Sequence, residues 1–180
     1  DTNLLLDYGK IHGFSVHIVK PIYDKKTKDL YSSTAIRNGI RNGKIDLVNS
    51  LMGRSWTMKG KVIHGDKRAR KMNFPTANIL PHNEIYPLQG VYAVRTQLQQ
   101  ELYNGIANFG ERPTVEGKKL LLEVHLFDFN KDIYGNYLTV EFLTFIRGEK
   151  KFDSFSILVE QIKKDIQIVK DYHLKKIDGI

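Results

Sequence analysis

The densest cluster of chemistry-bearing residues is Phe74-Pro75-Thr76-Ala77-Asn78, with Gly65-Asp66-Lys67-Arg68-Ala69-Arg70-Lys71 just upstream. A basic loop with a glycine can bend around phosphate oxygens and present main-chain donors to them. Gly65, Lys67, Arg70 and Lys71 are therefore candidate phosphate-binding residues. Pro75 fixes the backbone just before Thr76. Thr76 and Asn78 are two apart, so in an extended segment their side chains point the same way. A hydroxyl beside an amide carbonyl offers hard oxygen donors, suited to Mg2+ carried by a nucleotide. A proline-initiated turn with an Asn cap accounts for the same segment without any ligand. The glycine-lysine-serine/threonine ending of a Walker loop is absent.

Glu123 lies inside an apolar run, between Leu122 and Val124. On the outside of a sheet such a carboxylate is ordinarily just solvated; facing a pocket beside an alcohol, it becomes a general base. Phosphoryl transfer asks for little more than positioning, metal charge and one group to orient the nucleophile. Asn108 and Arg112 flank Phe109-Gly110-Glu111, where Arg112 could hold phosphate or pair with a surface acid. Arg147, Glu149 and Lys150-Lys151 precede the last helical segment and form either a ligand loop or an ordinary charged one. The histidines at 12, 17, 64, 82, 125 and 173 show no metal-ligand spacing. His125 shares a face with Glu123, an arrangement common by chance on a strand.

The elements that must position these residues show two textures. Phe14, Val16 and Ile18 alternate within His12–Val19 and predict a strand. Ser32, Ser33 and Thr34 offer N-cap hydroxyls to a helix carrying Ile36 and Arg37. Asn42-Gly43 makes a turn, Ile45, Leu47, Val48 and Leu51 make the apolar side of a second short helix, and Gly53 ends it in a left-handed cap. From Trp56 the period changes to two. Strands are expected at Trp56–Val62, Gly90–Thr96, Leu102–Phe109, Leu120–Phe129 and Tyr137–Phe145, joined by turns rich in Gly, Asn and Pro. Serial short strands without alternating helices point to a closed antiparallel barrel. Asp153 is expected to cap a final helix, on which Phe155, Leu158, Val159, Ile162, Ile166 and Val169 form the stripe docked on the barrel.

The bulk properties narrow the partners. The chain has 180 residues, 41% of them apolar and 27% charged, a composition that folds. It has no cysteine, which removes disulfides and thiolate chemistry and fits a cytoplasmic setting. No run is long and apolar enough to cross a bilayer, and no basic stretch precedes an apolar one as in a signal peptide. An aspartate at the first position suggests that the natural start is missing. The formal charge of +8 suits an anionic small molecule or a nucleic acid. The basic residues do not interleave regularly with aromatics, which argues against a single-strand groove.

Taken in order, Gly60-Lys61-Val62-Ile63-His64-Gly65, Asn73-Phe74-Pro75-Thr76-Ala77-Asn78-Ile79, Gly90-Val91-Tyr92-Ala93-Val94, Tyr103 to Gly110, Glu123 to Phe129 and Arg147 to Phe152 resemble the bacterial bifunctional riboflavin kinase/FMN adenylyltransferases. The resemblance implies a mainly β fold: a six-stranded antiparallel Greek-key barrel with a C-terminal α-helix, preceded by a short α/β remnant. It implies ATP, Mg2+ and riboflavin as partners, with FMN as product. It implies that Thr76 and Asn78 contact metal and phosphate, that Glu123 prepares the ribityl 5'-hydroxyl for attack, and that the Gly65–Lys71 loop and Pro75 border the nucleotide. Two positions depart from the pattern, Ala69 and Asn73, where the family carries glycine. Tyr31 to Arg37, with Ser32, Ser33, Thr34 and Arg37, resembles the last nucleotide motif of the adenylyltransferase domain. Residues 1–54 are thus expected to be the tail of that domain, whose remainder is a missing partner, and residues 55–180 the kinase. This chain is expected not to make FAD. The alternative is a non-catalytic barrel that binds flavin or single-stranded nucleic acid.

Overall fold

The computed structural model describes residues 1–25, 28, 30–64, 74–82, 85–114 and 117–177. Helix α1 spans Thr2–His12 and is capped by Asp1, whose carboxylate accepts from the Asn3 amide. The alternation at His12–Val19 does not make a strand. His12 ends α1, Gly13 takes a left-handed conformation, and the Phe14 amide bonds back to the Gly9 carbonyl. Among the described residues the segment has no partner strand, and alternation without a ladder leaves an extended loop. The only β pairing described before the barrel is an isolated bridge between Tyr23 and Leu30.

Helix α2 is Ser33–Arg41 and α3 is Ile45–Met52. Ser32 caps α2 through its hydroxyl, which accepts from the Ala35 amide at 3.1 Å. Gly53 terminates α3 at φ 65°, the conformation its position requires. Gly39 lies within α2, where the absent side chain makes room for Val48.

The strands are β1 (Trp56–Ile63), β2 (Ala77–Pro81), β3 (Gly90–Leu98), β4 (Glu101–Thr114), β5 (Gly117–Leu126) and β6 (Tyr137–Gly148). They close into a barrel in the order β1-β2-β5-β4-β3-β6, every neighbouring pair antiparallel. Strands β3, β4 and β5 follow one another and β2 returns beside β5, which is a Greek key. β2 is the strand that period alone does not reveal, because its apolar signal is short and follows a proline. β5 ends earlier than the apolar run suggests. The Phe127 amide bonds to the Asn104 carbonyl, and Asp128 turns away at φ 54°.

Met58, Ile79, Tyr92, Val94, Leu122, Val124, Val140 and Phe142 have no exposed surface and fill the barrel. Ile40, Ile45 and Val48 of α2 and α3 belong to the same buried cluster. Polar ties reinforce this join: the Asn49 amide donates to the Phe142 carbonyl, its oxygen accepts from the Trp56 amide, and Thr144 donates to Asp46. Burial pushes the Tyr92 hydroxyl well above the usual tyrosine range, so it stays a donor, and it bonds the Leu88 carbonyl.

Helix α4, Phe155–Ile177, lies on the outside of the barrel. Its Val169 joins Val91, Ala93, Ile106, Phe127 and Leu143 in a second buried cluster, flanked by Ile166 and Tyr172. β3 is therefore covered on both faces. The helix is capped by Ser154, whose hydroxyl accepts from the Ile157 amide, rather than by Asp153. Phe155 is 61% exposed and stands off the docked stripe.

Gly60 faces the interior where β1 crosses β2. A Cβ there would lie 2.4 Å from both Ile79 Cγ2 and the Leu80 carbonyl oxygen. Backbone cannot give way as a side-chain tip can, so Gly60→Ala is expected to destabilise the barrel by about 1–3 kcal/mol, as overpacking does. Urea unfolding measures it, and an unchanged midpoint would sink the claim.

Candidate functional site

The register of three strands assembles the centre of the site. Asn78 on β2 and Glu123 on β5 are direct partners, and Glu123 is also the partner of Asn108 on β4. Paired residues project to the same side of a sheet. Because Leu122 and Val124 point inward with no exposed surface, Asn78, Glu123 and Asn108 stand in a row on the outer face. All are half-buried. Among the described residues, nothing hydrogen-bonds the side chains of Thr76, Asn78 or Asn108, which leaves their oxygens open to a ligand.

Thr76 directly precedes β2. The segment before it is held from β5: His125 donates from Nδ1 to the Pro75 carbonyl at 2.8 Å, and its ring meets Phe74 edge-on with centroids 5.9 Å apart. His125 is thus an anchor for the chain entering the site, a role its i,i+2 spacing from Glu123 did not disclose. Gly65, Lys67, Arg70 and Lys71, with Ala69 and Asn73, lie outside the described residues.

Arg112 grips Glu123 in a fork, Nε to Oε1 at 2.9 Å and Nη2 to Oε2 at 3.1 Å. The bond to Glu123 raises the Arg112 guanidinium above its usual range while burial pulls the other way. Arg112 Nη1 also stands 3.7 Å from Glu149 Oε1. The Glu149 carboxylate rests over Gly110, where a Cβ would lie 2.0 Å from Oε1. Asn108, Arg112, Glu123 and Glu149 therefore lie together on the outer face.

Arg147 does not join them. It shares the row through Val91, the partner of both Asn108 and Arg147, but its guanidinium is turned onto α4. There Nε and Nη2 bond both oxygens of Asp165 at 2.7–3.1 Å. Of the two roles open to it in the sequence, a ligand loop or an ordinary charged one, the ion pair with Asp165 is the contact its guanidinium makes here. Asp165, only 2% exposed, was the missed partner. The available signal was an acid on the apolar stripe, one turn from both Ile162 and Val169.

The remnant motif lies elsewhere. The Ser32 hydroxyl is engaged in capping α2, and Thr34 is exposed. Ser33 and Arg37 line a cleft of about 330 Å³ with Met52, Arg54, Trp56 and Ile85. None of the Glu123 row lines it. A second cleft of about 460 Å³, under the C-terminal half of α4 near Asn104, Phe127 and Lys170, is also separate from that row.

The donor set can be weighed against Mg2+. Among the described residues no group of three or more histidines, cysteines or carboxylates could cage a metal. Thr76 and Asn78 supply neutral oxygens, which fit an ion that arrives bound to phosphates rather than a resident one. No described helix is long and apolar enough to cross a membrane.

A small Greek-key barrel, with one carboxylate set among amides on its outer face and a helix docked beside it, is the frame of the candidate site. The riboflavin kinase family model matches residues 52–173, and the chain belongs to that family. It is 49% identical over 142 residues to the bifunctional riboflavin kinase/FMN adenylyltransferase of Haemophilus influenzae, covering 78% of this chain and 46% of that protein. To the protein of the same description from Buchnera aphidicola it is 40% identical over 173 residues, covering 94% and 55%. The chain thus spans about half the length of these relatives. Among solved structures, the crystal structure of a macrolide-efflux protein from Streptococcus pneumoniae superposes with a TM-score of 0.80 at 36% identity, covering 94% of this chain and 54% of that one.

Proposed function

We propose that this chain transfers the γ-phosphoryl group of ATP to the ribityl 5'-hydroxyl of riboflavin, giving FMN and ADP. The observation that carries the reading is the outward row of Asn78, Glu123 and Asn108, built from adjacent strands of a riboflavin kinase barrel. Glu123 accepts the hydroxyl proton as the oxygen attacks phosphorus. Thr76 and Asn78 hold the metal-nucleotide through neutral oxygens, with the basic residues of the Gly65–Lys71 loop and Pro75 on the phosphate side. Asn108 orients the acceptor. Mg2+ arriving with ATP neutralises the charge on the phosphates. Catalysis of this kind rests on positioning and electrostatics, which suits a site built on rigid strands.

Residues 1–54 are read as the end of an adenylyltransferase domain, and 55–180 as the kinase. The parent protein then also converts FMN to FAD in a cytoplasmic setting, using the Ser32–Arg37 motif. The test is direct. Purified chain, riboflavin and Mg-ATP are expected to give FMN, and the same chain with FMN and ATP is expected to give no FAD. Absence of FMN, under conditions where a full-length relative makes it, sinks the kinase reading.

A second reading has one observation in its favour: Arg112 occupies both oxygens of Glu123, as in an inert ion pair. A barrel that quenches flavin fluorescence yet forms no FMN would be that case.

A further inference from the structure

We infer that Arg112 is a positioning residue for the reaction, acting through Glu123 and steadied by Glu149. The inference rests on the kinase reading and deepens it. On β4 the residues facing outward in this stretch are Asn108, Gly110 and Arg112, at alternate positions along the strand. Arg112 is the backbone partner of Lys119, not of Glu123, whose partner is Asn108. Its guanidinium must therefore reach back along the strand, past Gly110, to make the fork. Gly110 leaves that path open, and the Glu149 carboxylate lies over the same bare patch.

The result is one cation among two carboxylates. Both oxygens of Glu123 are bonded at 2.9 and 3.1 Å, while Glu149 stands farther off at 3.7 Å. Arg112 Nη1 also donates to the Glu111 carbonyl at 3.1 Å, so the guanidinium is fixed in plane. A planar fork sets the orientation of a carboxylate where a single point charge does not. Each carboxylate oxygen retains a second lone pair, so Glu123 can accept a substrate proton without losing the fork. Arg112 is thereby assigned to aiming the base rather than to binding phosphate.

The test is a double-mutant cycle in FMN formation by the full chain. Arg112→Gln is expected to lower kcat about 10–100-fold with the KM for Mg-ATP and the unfolding midpoint unchanged. Arg112→Lys, one donor in place of a fork, is expected to recover part of the loss. In a Glu123→Gln background, Arg112→Gln is expected to add nothing, because residues acting as a unit are not additive. A loss of the same size in that background, or a rise in KM for Mg-ATP at unchanged kcat, overturns the inference. So does a lysine variant no better than glutamine. The wild type and the Glu123→Gln arm separate the cases. A wild type without FMN removes the kinase reading and this inference together. A Glu123→Gln chain at wild-type rate removes the base. If both behave as expected and the Arg112 arms fail, only the inference falls.

Discussion

Replacing Glu123 with Gln is expected to cut the rate of FMN formation by about 10²–10⁴-fold, the usual contribution of a general base, with the fold intact. The two side chains are nearly the same size, and the position is on the barrel's outer face, so the interior packing of Leu122 and Val124 is untouched. An amide cannot take a proton from an alcohol, so the chemical step loses its acceptor. It can still receive a hydrogen bond from Arg112 on one side, which keeps the local geometry near that of the parent. The loss should therefore appear in kcat with little change in the KM of either substrate. Steady-state assays of FMN formation, paired with a thermal melt, separate the two. Turnover within a few-fold of wild type at an unchanged melt would falsify the assignment of Glu123 as base.

The largest expected effect on stability lies at the join between the barrel and α4. Asp165→Ala is expected to cost about 3–5 kcal/mol, the usual range when one partner of a buried ion pair is removed. Arg147 and Asp165 have side chains only 16% and 3% exposed, and Asp165 also accepts from Gln161 at 2.8 Å. Without the carboxylate, the Arg147 guanidinium is left in a half-buried site with its charge unmatched. The effect is structural but reaches the site, because Arg147 is two residues before Glu149 in the chain. Asp165→Asn, which keeps shape and some hydrogen bonding, should lose less. Urea unfolding gives the comparison. Equal midpoints for wild type and Asp165→Ala would remove Arg147 from its role in tying helix to barrel.

The barrel was legible because inward residues alternate with outward ones at Trp56–Val62, Gly90–Thr96, Leu120–Leu126 and Tyr137–Phe145, and such alternation needs only local sequence. β2 was not, since a short strand after a proline reads equally as a turn. Helix α1 was missed for a different reason: Leu4, Leu5, Tyr8 and Ile11 remain exposed, so no buried stripe marks it. The strand expected at His12–Val19 had the pattern but no partner among the described residues, and pairing is not a local property. Among candidate site residues, Glu123, Asn78 and Asn108 were singled out by type. That they stand in one row follows from register, which a sequence does not print. The pairing of Arg147 could not be read in advance because its partner lies 18 residues on, across the turn into α4.

The packing of α2 and α3 into the barrel bears on what counts as a module. The family match begins at residue 52, yet Ile40, Ile45 and Val48 are sealed inside the same cluster as Phe142 and Trp56. A chain cut at the start of β1 would leave the part of that cluster around Trp56 and Phe142 greasy and wet. The buried cluster that holds the barrel therefore reaches beyond the residues the family model matches.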